Sequence, residues 1–238
     1  MKPRGSLSFR AGCAALAILC SFQSSSDAGS LREKNWAASA VVELFSSQGC
    51  SSCPPAETLI KDLDLEQPIP GVEIIPLVFH VDYWDSLGWK DPFSSPAFTQ
   101  RQYAYAKALG LDQVYTPQAL VNGNTDVVGN DRSGILRALK PLARMRLALV
   151  QGKLCIRGML VGHPLILAAT EDGVVTKVLR GENRDRHLLS HAVVVWISEV
   201  PWHGDQATIA IPKLNARHWV AIQQDKNSSI LSAGRLNL

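Results

Sequence analysis

Cysteine is scarce in this chain: 238 residues carry five, at positions 13, 20, 50, 53 and 155. That is far from the dense, even set of a small scaffold stapled by several disulfides. No apolar run approaches the about 20 residues that a membrane-crossing helix needs. No glycine-rich phosphate loop follows a strand, so no organic cofactor is expected. No Lys/Arg-rich tail or face points to nucleic acid. The formal charge is only +3, and neither an internal repeat nor a low-complexity segment is visible.

What is present begins with an address. Lys2, Arg4 and Arg10 form a basic leader, and Ala11 to Leu19 has the length of a signal-peptide core. Ser26 and Ala28 supply small residues for a cut before Gly29. Cys20 would suit a lipid anchor, but the large Leu19 before it does not. A cleaved signal over residues 1–28 is therefore expected, with periplasmic or secreted localisation and no stable membrane span afterwards. Removing it takes away three basic groups and Asp27, so the charge falls from +3 to +1. About 210 residues and three cysteines remain. They read as a working pair, Cys50 and Cys53, with Cys155 apart in a strand-like apolar run as a buried core residue.

The pair lies in Gly49-Cys50-Ser51-Ser52-Cys53-Pro54-Pro55, directly after the β-rich stretch Val41 to Phe45. A strand that delivers two cysteines to the first turn of a helix places the leading sulfur at the positive end of the helix dipole. A thiolate is favoured there, and a thiolate attacks disulfides. Cys50 is then the candidate nucleophile and Cys53 the resolving residue. Two plainer readings stay open. A structural disulfide across two residues would remove little chain entropy. A zinc or copper site would need further ligands, such as His80.

Pro54 and Pro55 suit a first helical turn, and Leu59, Ile60 and Leu63 continue at helical spacing. A second strand is expected over residues 72–81, with Pro76 as an awkward interruption. Residues 97–109 read as a helix ended by Gly110. Ala119 to Val121 and Val127-Val128 read as a hairpin turned by Asn122-Gly123, and Asp131 as the cap of a helix to about Leu142. The order β-α-β then α-β-β-α is that of a thioredoxin-like domain, set at residues 29–144. Short apolar runs split by turn residues follow over 145–238 and suggest a smaller β-rich, sandwich-like domain. The expected class is α/β overall.

Other residues join the pair in this reading. Pro117, after Thr116, falls where a thioredoxin-like domain holds a cis-proline that docks an extended substrate; a trans turn proline is the alternative. Glu43, on the strand before the cysteines, is either a half-buried proton acceptor for Cys53 or an ordinary strand-end carboxylate. The stretch 82–93 carries Trp84 and Trp89, as a substrate platform or as packing over a sheet edge. Asn183, Arg184, His187 and His191 read as solvated turn residues.

The blocks Val42 to Ala56, His80 to Asp85, Leu87 to Phe93 and Tyr115 to Gln118, followed by Asn183-Arg184 and His191 to Val194, resemble a secreted bacterial family, domain of unknown function 1223. The resemblance spans nearly all of residues 40–235 and implies a thioredoxin-like fold; it brings no established activity with it. Compared with thioredoxins proper, Glu43 stands one residue further from the first cysteine, and Ser51-Ser52 replaces Gly-Pro. The expected function is a thiol–disulfide oxidoreductase acting on a protein or small-molecule thiol or disulfide, with Cys50, Cys53, Pro117 and Glu43 in catalysis and Thr116, Trp84 and Trp89 against the substrate. The alternative is a copper or zinc carrier using the same cysteines.

Overall fold

The structure is a computed structural model that describes residues 36–202 and 204–238. The leader over 1–28, its cleavage site and Cys20 lie outside the described residues. Strand β1 (Ala38–Ser46) is buried along almost its whole length and leads through a tight turn into helix α1 (Cys53–Glu66), then into β2 (Val72–His80). β1 and β2 are parallel, in register from Ala38↔Val72 to Ser46↔His80. Strand alternation divides the side chains of β1 between two cores. Val42 and Leu44 pack with Ala56, Ile60 and Leu63 of α1, while Val41 and Phe45 pack on the opposite face with Phe98 and Tyr105.

The latter two residues belong to α2 (Pro96–Leu109). It is capped at its start by the Ser95 side chain, which accepts from the Ala97 N–H, and at its end by left-handed Gly110. The hairpin β3 (Gln118–Val121) and β4 (Thr125–Val128) follows, with β3 antiparallel to β1. Its turn runs over residues 122–124. Gly123 is required there twice over: its φ is 68°, and a Cβ would stand 2.3 Å from the Ser228 carbonyl. Helix α3 (Arg132–Ala138) begins at Asp131, whose carboxylate accepts from the Gly134 N–H. It stops well short of Leu142. Pro141 disfavours helical backbone at the residue before it, and Leu139 is already extended.

The remainder is strand: β5 (Ala143–Arg144), β6 (Arg146–Val150), β7 (Lys153–Arg157), β8 (Leu165–Glu171), β9 (Val174–Lys177), β10 (His187–Ser190), β11 (Val193–Val200), β12 (Gln206–Ala210), β13 (His218–Gln224) and β14 (Ile230–Asn237). The fold is mixed α/β around one large sheet ordered β4-β3-β1-β2-β11-β8-β13-β14-β5. A boundary near Arg144 thus meets a sheet that runs on across both halves. β11 joins β2, and β5 lies at the far edge against β14. The sandwich-like character is local: β6, β7 and β12 form a three-stranded sheet. Leu147, Leu154 and Ile156 from it pack against Leu165, Leu167 and Trp219 of the large sheet.

Pro76 finds its explanation at the β2–β11 junction. Along β2, the Ile74 N–H goes to the Gln67 side chain at 2.7 Å and the Val78 N–H to the Ala192 carbonyl at 2.9 Å. Residue 76 shares their parity, so its nitrogen faces the same side, away from β1. β11 pairs with β2 only at Val193↔Val78. A missing donor therefore costs nothing at that point. No helix among the described residues is long and apolar enough to cross a membrane.

Candidate functional site

β1 ends at Ser46, and the chain turns through Ser47, Gln48 and Gly49 so that the Cys50 N–H reaches the Ser47 carbonyl at 3.1 Å. Cys53 opens α1, and Cys50 and Cys53 form a disulfide with their Cα atoms 5.5 Å apart. Pro54 and Pro55 occupy the first turn, where no N–H is missed. Both cysteines are buried, at 1 % and 0 % exposure. Cys50 Sγ is 3.3 Å from the Ser52 hydroxyl. Cys155 is buried on β7, far along the chain, with its sulfur 3.7 Å from Thr208 Oγ1.

Several of the expected residues gather around this turn. The Thr116–Pro117 bond is cis. Trp84 links that bond to the cysteine loop: its indole N–H donates to Thr116 Oγ1 at 2.9 Å, while its Cβ lies where a Cβ on Gly49 would come within 3.2 Å. Gly49 leaves room for this approach. Trp89 donates to the Gln48 side chain at 3.2 Å. Both indoles are half-buried, each with one edge against the loop.

Glu43 is elsewhere, and its expected role at the sulfurs is corrected by its partners. Its carboxylate is fully buried on the α2 side of the sheet, where Arg101 donates Nε and Nη2 to its two oxygens at 2.9 and 2.7 Å. The Tyr105 hydroxyl donates to it at 3.0 Å. The strand period decides this: Glu43 shares the face of Val41 and Phe45, whereas α1 packs on the face of Val42 and Leu44.

The acid on the α1 side is Glu57, four residues after Cys53 and so on the same helical face. It accepts a hydrogen bond from the Ser46 hydroxyl and lies 3.7 Å from His80 Nε2. Burial raises the Glu57 pKa, opposed by His80 and Ser46. The His80 ring is fully buried, and its Nδ1 is 2.7 Å from Asp91 Oδ2. Burial opposes charge on the ring, yet Asp91, aided by Glu57, outweighs burial and holds its pKa above the ordinary value. Burial likewise works against the Asp91 carboxylate, but His80 and the N–H groups of Gln48 and Phe93 hold its pKa below the usual range. Because Asp91 accepts from the Gln48 N–H at 2.7 Å, the charged pair is fastened to the loop that carries Cys50. His80 Nδ1 is thus committed to Asp91, while its buried Nε2 has no hydrogen-bond partner. Among the described residues no group of three or more His, Cys, Asp or Glu is arranged to hold a metal ion.

The last contributor comes from the segment between β9 and β10. Asn183 is fully buried, and its amide donates to the Gln48 and Cys50 carbonyls at 2.9 and 2.8 Å. Arg186 donates to Asn183 Oδ1 at 2.7 Å, and Glu182 accepts from the Ser51 N–H at 3.0 Å. Gly181 packs against Trp89. Glu57 carried a sequence signal, its position one turn after Cys53 beside buried Ala56 and Ile60. Asn183 carried only its place among the blocks that resemble the family, being more than 130 residues from the carbonyls it holds.

The family described as protein of unknown function (DUF1223) matches residues 41–226, which include every residue of this site. The chain belongs to this family. Among solved structures, the DUF1223 chain is similar to protein AGR_C_4864 from Agrobacterium tumefaciens at 28% identity, over 83% of this chain and 93% of that one, with a TM-score of 0.71. It is also similar to HBP35 of Porphyromonas gingivalis at 16% identity, over 85% of this chain and 76% of that one, with a TM-score of 0.56, a likeness of fold alone. No curated protein matches the chain.

Proposed function

We propose that this DUF1223 chain is a thiol–disulfide oxidoreductase of thioredoxin-like build, working in the periplasm or outside the cell on protein or small-molecule thiols and disulfides. The observation that carries the reading is the Cys50–Cys53 disulfide at the β1–α1 turn. A crosslink spanning two residues is a poor staple, whereas its place at the start of a 14-residue helix favours a thiolate. Support also comes from the cis Thr116–Pro117 bond tied to the loop through Trp84, and from the neighbouring order β4-β3-β1-β2. The basic, apolar leader supports export, and an oxidising compartment suits the pair.

In the reduced form the Cys50 thiolate attacks a substrate disulfide. A mixed disulfide forms and one substrate thiolate leaves. Cys53 then attacks Cys50 Sγ, closing the bond observed here and releasing the second substrate thiol; two electrons and two protons pass to the substrate. Glu57 takes the proton from Cys53 as it becomes a nucleophile, the role that Glu43 is not placed to fill. The copper or zinc carrier has less support, since His80 is held through Nδ1 by Asp91. Titration of the purified protein in dithiothreitol or glutathione redox buffers tests the reading. A single two-electron midpoint, unmoved by copper, is expected, and Cys53→Ser should trap a mixed disulfide. A pair that stays oxidised across the whole buffer range, with no trapped species, would remove the proposal.

A further inference from the structure

Between α1 and β10 lies a cavity of about 230 Å³. Its wall starts at Pro54, the residue after Cys53, and continues with Glu57 and Lys61 on α1 and with Arg186 and His187 across from them. Its volume is below the about 300–1,000 Å³ of pockets that take drug-sized ligands, so its occupant is small. Lys61 and Arg186 bring two positive charges to it, and neither has a carboxylate within ion-pair reach among the described residues. The one carboxyl in the wall is Glu57, which accepts from the Ser46 hydroxyl and lies 3.7 Å from His80 Nε2. The cavity is therefore a recess bordering the redox pair, with two cations that no carboxylate among the described residues pairs. Arg186 also braces Asn183, and Asn183 holds the Cys50 carbonyl.

We infer that this cavity seats the carboxylate of a small thiol or disulfide substrate, and that seating it draws Arg186 away from Asn183. The inference rests on the redox reading and narrows its substrate class. Cys50 and Cys53 are buried beneath the 181–186 segment, so a substrate must displace that segment to reach sulfur. A carboxylate that competes for Arg186 loosens it at the moment the substrate arrives. A substrate thiolate then attacks Cys50 Sγ, and the Cys50–Cys53 bond breaks with its electron pair on Cys53, which takes up a proton. A second substrate thiolate attacks the mixed disulfide and frees Cys50. Two substrate thiols become one disulfide, and the protein pair is reduced.

Two symmetrical disulfides of similar size and opposite charge test this: dithiodipropionate, with two carboxylates, and cystamine, with two ammonium groups. Oxidised protein is titrated with each, by calorimetry and by the side-chain amide resonance of Asn183, so that no exchange chemistry intervenes. Saturable binding of dithiodipropionate alone is expected, with the Asn183 signal following the same curve. Lys61→Glu, checked for folding by thermal melting, should weaken it at least about tenfold, equivalent to about 1.4 kcal/mol. Equal binding of cystamine, no saturable binding of dithiodipropionate, or indifference to Lys61→Glu would each overturn the inference. A normal redox midpoint alongside any of these would leave the oxidoreductase reading standing. Binding by a protein with no measurable midpoint would do the reverse.

Discussion

Replacing Arg101 with methionine separates architecture from chemistry in this protein. The Glu43 carboxylate is at 0 % exposure, and Arg101 supplies two of its three hydrogen bonds as a bidentate fork. Arg101→Met keeps much of the apolar contact of the stem, whose guanidinium lies 5.0 Å from the Tyr105 ring centre and 5.6 Å from that of Phe79. It leaves the carboxylate buried with Tyr105 alone. Breaking a buried pair from one side costs about 3–5 kcal/mol. For a domain of this size, about 2–4 °C of melting temperature per kcal/mol gives a fall of about 6–20 °C. Urea unfolding at an unchanged slope is the direct assay. The double variant Glu43→Leu with Arg101→Met removes both charges and should recover most of the loss, because the pair contributes little beyond an apolar substitute. Disulfide exchange by folded Arg101→Met should match the parent. A loss under about 1 kcal/mol, or an exchange defect at unchanged stability, would refute the placement of Glu43 as a structural anchor.

Other consequences concern the site and the sheet. Glu57→Gln should slow the Cys53-dependent step about 100-fold or more and flatten its pH profile, with Glu57→Asp restoring part of it; stopped-flow reduction across pH reads this. Asn183→Ala frees the Gln48 and Cys50 carbonyls, and should raise the reaction rate of Cys50 with a maleimide in the reduced protein while leaving its fold intact by circular dichroism. Acid should act through Asp172. Burial works against its charge, but His218, Ala192 and His191 hold its pKa down at about 2. A depressed carboxylate stabilises the fold above its unfolded pKa near 3.8, and that contribution is lost as pH falls toward about 2. Melting temperature followed from pH 5 to pH 2 should therefore drop less steeply in Asp172→Asn than in the parent.

The parts of this molecule that were legible in the sequence are those governed by near neighbours. The strand before Cys50, the prolines opening α1, Gly110 after α2 and Asp131 before α3 are each set within a few residues, and each stands where its local chemistry puts it. The short strands after residue 145 were visible for the same reason, although β10 was missed and their pairing was not visible. Joining β11 to β2 depends on a free N–H at Val78 and a carbonyl at Ala192, more than 110 residues apart. Glu43 was misjudged because its partner Arg101 is 58 residues on, and the choice of face follows from where α2 packs. Asn183 looked like a solvated turn because only the folded chain brings carbonyls to it.

Pro76 has a mechanical consequence. The two halves of the large sheet meet at one paired position, Val193↔Val78, and the next donor along β2 is absent by covalent structure. That join cannot lengthen by zipping toward the start of β2. Cohesion across it comes instead from side chains on both faces: beneath α2, Phe79 and Phe98 meet Ile166, Val194 and Ile222, and on the α1 side Asp64 holds His191 and Arg235 at 2.8 Å each. The two halves are thus joined less by strand pairing at that seam than by side chains that reach over it from both faces.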